Sequence, residues 1–97
     1  MKNTFEWDDN KNLLNIKNHG INFSDGYLIF QSPILKNLDT RNEYSEDRWL
    51  GIGTLNNFYV VICWNEKDDG NVIRIISIRK ALKHERKAYE KFIYRLG

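Results

Sequence analysis

Apolar residues follow two rhythms along the chain. In the second half they fall in strand-length blocks, Arg48–Thr54, Phe58–Asn65 and Val72–Arg79. The turn formers Asn56-Asn57 and Lys67-Asp68-Asp69-Gly70 separate them. Phe58 to Trp64 is apolar almost throughout, which predicts a central strand covered on both faces. Strict alternation in the third block puts Arg74, Ile76 and Ile78 on one face and Ile73, Ile75, Ser77 and Arg79 on the other. From about Leu82 to Leu96, the spacing of Leu82, Tyr89, Phe92, Ile93 and Leu96, with Ala88 alongside, predicts an amphipathic helix.

The first half is less regular. Thr4–Trp7 reads as a short strand, and Asp8 is placed to cap a helix over about Asp9–Asn18. Leu13, Leu14, Ile16 and Lys17 give that helix a modest apolar face, and Gly20 supplies a left-handed exit. Ser24 is positioned to cap a second short helix carrying Tyr27, Leu28 and Phe30, which Ser32-Pro33 stops. Ile34–Leu38 enters a strand, and the polar stretch Asp39–Asp47 reads as a loop. The expected fold class is α+β, a small antiparallel sheet with two N-terminal helices and a C-terminal helix, in one domain over residues 1–97.

Composition narrows the function classes. With 97 residues, 41% hydrophobic and 29% charged, the chain matches one small soluble domain. Its single cysteine excludes an internal disulfide framework and a thiolate zinc cage. The longest apolar run is too short to cross a bilayer, and Met1 to Asp8 has no signal-peptide core, so a cytoplasmic location is expected. Net charge is only +2, but it is unevenly spread. Residues 1–71 carry seven Lys/Arg against eleven Asp/Glu, a net of −4, and residues 72–97 carry eight against two, a net of +6. A basic final third is a footprint for a polyanion or an acidic protein, or simply a solvated helix face.

No metal-ligand set, glycine-rich phosphate loop or Gly-x-Ser-x-Gly elbow is present, and no cofactor is expected. Gly51-Ile52-Gly53 reads as a bend or bulge, and Cys63 as a small core hydrophobe. Arg74, inside an apolar strand, needs a carboxylate such as Glu66 or Glu85, or a cleft. Arg79 and Lys80 end the strand where a helix begins, a place where phosphate meets cations and helix amides, although solvated loop charges read the same way. A phosphodiester can be cut without metal when the RNA 2′-hydroxyl attacks, provided that the protein supplies a base, an acid and cations. His19, His84, Glu85, Tyr89, Glu6 and Lys80 are available for proton transfer. Tyr89 equally suits core packing, and His19 equally suits a helix C-terminus.

Phe5-Glu6-Trp7-Asp8, with Lys11, Asn15 and Lys17-Asn18-His19-Gly20-Ile21-Asn22-Phe23, resembles the N-terminal signature of the BrnT toxins of bacterial type II toxin–antitoxin systems. Arg48, Gly51-Ile52-Gly53 and Arg74 to Ala81, with Glu85 and Tyr89, are similar to that family's second block. Ile78, Leu82 and Gly26 depart from the usual alanine, threonine and alanine. The resemblance implies a RelE-like fold and a metal-independent endoribonuclease that blocks translation. It also implies neutralisation by a BrnA-like antitoxin with a ribbon-helix-helix domain, in a hetero-oligomer that reaches operator DNA only through that antitoxin. The expected catalytic set is Arg74, Arg79, Tyr89, Glu85 and His19, with Arg48, Lys80, Lys83 and His84 binding substrate. A non-catalytic RNA- or protein-binding module is the other reading of the same basic third.

Overall fold

The computed structural model describes residues 3–41 and 46–97; four residues of the expected loop, 42–45, lie outside that set. Five strands, Thr4–Trp7 (β1), Leu35–Leu38 (β2), Trp49–Leu55 (β3), Phe58–Lys67 (β4) and Val72–Lys80 (β5), form one sheet in the order β1-β5-β4-β3-β2. The helices are Asp9–His19 (α1), a 3-10 helix at Phe23–Gln31, and Lys83–Leu96 (α2). β2 to β5 pair antiparallel, but β1 runs parallel to β5. The sheet is therefore mixed rather than antiparallel, because the N-terminal strand closes part of the free edge of β5 in the same direction.

β4 is central and continuously apolar for the expected reason. Val60, Ile62 and Trp64 face a core with Ile73, Ile75, Ile78, Phe23 and Ile29, under α1 and the 3-10 helix. Val61 and Cys63 are buried on the opposite face, where α2 packs Tyr89 against Tyr59 at 5.8 Å between ring centroids. The glycines of β3 make room for this core instead of bending the strand. A Cβ on Gly51 would meet Ile34 Cγ2 at 2.5 Å and the Trp64 ring at 2.8 Å.

The alternation expected in β5 breaks at one point. Trp64 pairs with Ile75 and Cys63 with Ser77, so Ile76 is an extra residue, a β-bulge. The bulge shifts the phase by one position, so Ile78 joins Ile73 and Ile75 in the core. Arg74 and Arg79 consequently share the opposite face, where strict alternation had separated them.

α1 is capped as expected. Asp8 accepts from the Lys11 N–H at 3.0 Å, and Gly20, at φ 71°, closes the helix onto the Ile16 carbonyl at 2.8 Å. Its expected apolar face does not reach the core: Leu13 and Leu14 are 66% and 57% exposed. The reason lies in its neighbour. Beyond β1, the edge of β5 offers backbone polar groups, which require hydrogen bonds rather than apolar cover. Asn15 supplies them, donating to the Ile78 and Ile21 carbonyls at 2.9 Å each and accepting from the Ile78 N–H at 3.0 Å. Asn12 extends this polar seam by accepting from the Phe23 N–H at 2.8 Å. Asn22, not Ser24, caps the 3-10 helix, its side chain accepting from the Ser24 N–H at 2.9 Å.

Candidate active site

β5 ends at Lys80, α1 ends at His19, and α2 starts after Leu82, and these three element ends meet around one cavity. Between them lies a cavity of about 400 Å³ lined by Asn18, His19, Arg79, Lys80 and Leu82. A second cavity, about 310 Å³, shares His19 and Lys80 and continues past Asp25 to Leu55, Asn56 and Phe58 at the β3–β4 turn. His19 and Lys80 are thus common walls of the two cavities.

Arg79 is held firmly at the first of them. Its Nη1 and Nη2 each donate to the Glu85 carboxylate at 2.7 Å, and Nη1 also donates to the Lys80 carbonyl at 3.2 Å. Glu85 also accepts from the Leu82 N–H at 2.7 Å, one half of a capping box whose other half a leucine side chain cannot give. The Arg79 guanidinium, together with that N–H, pulls the Glu85 carboxyl down to about 2 against the cost of burial. At neutral pH it is therefore an anion that orients Arg79 and ties α2 to the end of β5. A guanidinium has five N–H donors in a planar fork. Glu85 takes one N–H from each terminal nitrogen, which leaves Nε and the second N–H of Nη2, the side of the fork, without a hydrogen bond among the described residues.

Other expected site residues lie elsewhere. Arg74 shares the face of Arg79 but stands five residues along the strand, roughly 15 Å away at ordinary strand rise. It donates to Glu6 at 2.7 Å, since the parallel β1–β5 register sets Glu6 beside it; neither Glu66 nor Glu85 is its partner. Arg74 and Lys67 together hold the Glu6 carboxyl below its ordinary range. Tyr89 is 4% exposed, its hydroxyl donates to the Pro33 carbonyl at 2.7 Å, and burial pushes its phenol up. It lines a separate hollow with Thr54 and Tyr59. Lys83 and His84 are exposed on the first turn of α2, flanking the cavity without lining it. Arg48 precedes β3, where its charge is felt at Cys63, whose thiol burial pushes up.

Three contributors escaped the sequence reading. Arg41, fixed by a two-point bond to the buried Asp39, is close enough for its charge to be felt at Arg79. Asp25 and Phe58 line the second cavity. Their only sequence signals are an acid in a helix first turn and an aromatic directly after a turn. Among the described residues no group of three His, Cys, Asp or Glu side chains is arranged to hold a metal ion, and no helix is long and apolar enough to cross a membrane.

Comparison with known proteins identifies the family. Residues 7–85 match the family model described as the ribonuclease toxin BrnT of type II toxin–antitoxin systems. The crystal structure of the Brucella abortus ribonuclease toxin BrnT superposes with a TM-score of 0.63 at 23% identity, covering 84% of this chain and 100% of that one. No curated protein matches in sequence. The chain belongs to the BrnT family of ribonuclease toxins, which implies an RNA target and an antitoxin partner.

Proposed function

We propose that the chain cleaves RNA at the junction of α1, β5 and α2 without a metal, using the RNA's own 2′-hydroxyl as nucleophile. The observation that carries this reading is the meeting of Arg79, Lys80 and His19 around one cavity, with Arg79 oriented by Glu85 and its side fork unused. The fork takes two phosphate oxygens and stabilises the charge that grows on the pentacoordinate phosphorus. His19 takes the proton of the 2′-hydroxyl as the 2′-oxygen–phosphorus bond forms. The bond from phosphorus to the 5′-oxygen breaks, and the Lys80 ammonium protonates the leaving oxygen. The products are a 2′,3′-cyclic phosphate and a free 5′-hydroxyl. Glu85 and Asn15 act as positioning residues. Arg74, Arg48, Lys83 and His84 hold neighbouring phosphates, and Tyr89 supports the packing of α2.

Loss of messenger by this reaction blocks translation in the cytoplasm. In the same proposal the fold is RelE-like, and a BrnA-like antitoxin with a ribbon-helix-helix domain neutralises the toxin in a hetero-oligomer and carries it to operator DNA. Incubation of purified protein with RNA in EDTA tests the chemistry. Cyclic-phosphate ends that vanish in His19→Ala and Arg79→Ala support it. Persistent cleavage in both variants refutes the site. A salt-sensitive gel shift with no cleavage means that the chain is a binding module instead.

A further inference from the structure

The cavity beside Phe58 has no task in the phosphate chemistry above, yet it shares His19 and Lys80 with the cavity where that chemistry is placed. Its walls are of two kinds. Leu55 and Ile21 are apolar, and Phe58, the first residue of β4, is 54% exposed, with the Lys80 ammonium over its ring 4.8 Å from the centroid. An exposed ring beside a cation is a platform on which a nucleobase stacks while its phosphate meets the charge. The polar wall carries Asp25, an exposed acid that takes part in none of the ion pairs among the described residues. A carboxylate only accepts hydrogen bonds. Of the four RNA bases, guanine alone presents two adjacent N–H donors, ring N1–H and the exocyclic amino group, to match two carboxylate oxygens.

We infer that this cavity binds a guanine base adjoining the phosphate held at Arg79, with Phe58 stacking on it and Asp25 reading its Watson–Crick edge. The position of the phosphate rests on the nuclease reading; the base selectivity rests on the cavity itself.

Titration of the purified chain with 3′-GMP, 3′-IMP and 3′-AMP, followed by NMR shifts of the Phe58 ring and of the amides around Asp25, tests the pocket without requiring catalysis. GMP is expected to bind about tenfold tighter than AMP, because the wrong base leaves acceptors unmatched, with IMP between them. Asp25→Asn should erase the GMP preference, and Phe58→Ala should weaken all three ligands. Equal binding of GMP and AMP, or a preference that survives Asp25→Asn, overturns the inference. Sequencing of RNA ends separates the two readings. Guanine-selective binding without cleavage sinks the nuclease and leaves the pocket standing, whereas cleavage indifferent to the adjoining base sinks the pocket alone.

Discussion

Asn15→Ala removes one side chain and leaves three backbone groups without partners. Asn15 is 5% exposed, and its amide serves the Ile78 N–H, the Ile78 carbonyl and the Ile21 carbonyl. Those groups lie where β1 has stopped and only α1 covers the edge of β5. Each buried group left unpaired costs about 1 kcal/mol or more, so the loss should reach about 2–4 kcal/mol after alanine's better helix propensity returns a few tenths. A domain of this size has a total stability of only about 5–10 kcal/mol, and a loss of that size lowers Tm by roughly 10–25 °C. Asn15→Asp should be worse at pH 7, since it turns a donor into an anion facing two carbonyl oxygens. Burial there raises the carboxyl in the folded state, so stability should recover as pH falls and the protonated acid regains a donor. Guanidinium unfolding followed by tryptophan fluorescence at pH 7 and pH 5 measures both effects. An Asn15→Ala protein within about 0.5 kcal/mol of the parent would refute the reasoning, because surface substitutions alone cost that much. So would an Asn15→Asp protein indifferent to pH. His19 lies one turn beyond Asn15 on α1, so either change should also lower RNA cleavage in molecules that still fold.

Arg79→Ala should lower cleavage by about 100-fold or more, the usual effect of losing a donor to a developing oxyanion. Arg74→Ala, remote from the cavity, should cost less than tenfold, and single-turnover assays on a short RNA distinguish the two. Glu85 is lowered from 4.5 to about 2 in the folded state, so its contribution is complete above about pH 4.5 and is lost as pH falls toward 2. The pair is partly exposed, so screening limits this to about 1–2 kcal/mol, and Glu85→Gln should flatten that limb of the stability–pH curve. Gly51→Ala should destabilise by about 1–3 kcal/mol in thermal melts, since the new Cβ meets the Ile34 methyl and the Trp64 ring. Leu82→Thr should add about 1 kcal/mol by restoring a side-chain cap to α2.

The strands and the terminal helix were legible in the sequence because burial on a sheet leaves a periodic mark. β4 carries an unbroken apolar run, and Asp8 and Gly20 announce both ends of α1. What escaped depends on pairing between distant segments. Nothing local shows that β1 lies parallel to β5, so Glu6 was not identified as the partner of Arg74. Nothing local marks the bulge at Ile76, so two arginines on one face read as lying on opposite faces. Leu13 and Leu14 read as a buried face because periodicity does not say what the helix will meet. Gly26, where the family resemblance expects alanine, becomes intelligible only in three dimensions: a Cβ there would lie 2.5 Å from the Ile75 Cδ1. Of the site, the cluster Arg79-Lys80 was legible as cations at a strand end. Its convergence with His19 was not, since that depends on the Asn15 side chain holding α1 against β5 and on Asn12 tying α1 to the 3-10 helix.

Both arginines singled out from the sequence are bound to carboxylates of their own chain, which would weaken a phosphate site if the pairing consumed the cation. Arg74 lines neither of the two cavities at the end of β5, so its pair with Glu6 stands apart from the reacting phosphate. At Arg79 the pairing has a different consequence. Glu85 takes one end of a fork that has two usable sides, and the pair fixes a flexible side chain whose ordering would otherwise oppose binding. It also neutralises one positive charge, and the neighbourhood restores it: Lys80, Lys83, Lys87, Lys91 and Arg95 take part in none of the ion pairs among the described residues. Attraction of a polyanion thus falls to unpaired charges along the last third of the chain, and orientation at the reacting phosphorus to the paired one. The two contributions separate by salt. Raising ionic strength should weaken RNA association steeply in the parent and in Arg79→Ala alike, since the counterions released come mainly from the unpaired cations. The chemical step at saturating RNA should respond to Arg79→Ala and scarcely to salt. If salt and Arg79→Ala act on the same kinetic constant, the guanidinium is one more surface charge and the fork has no orienting role.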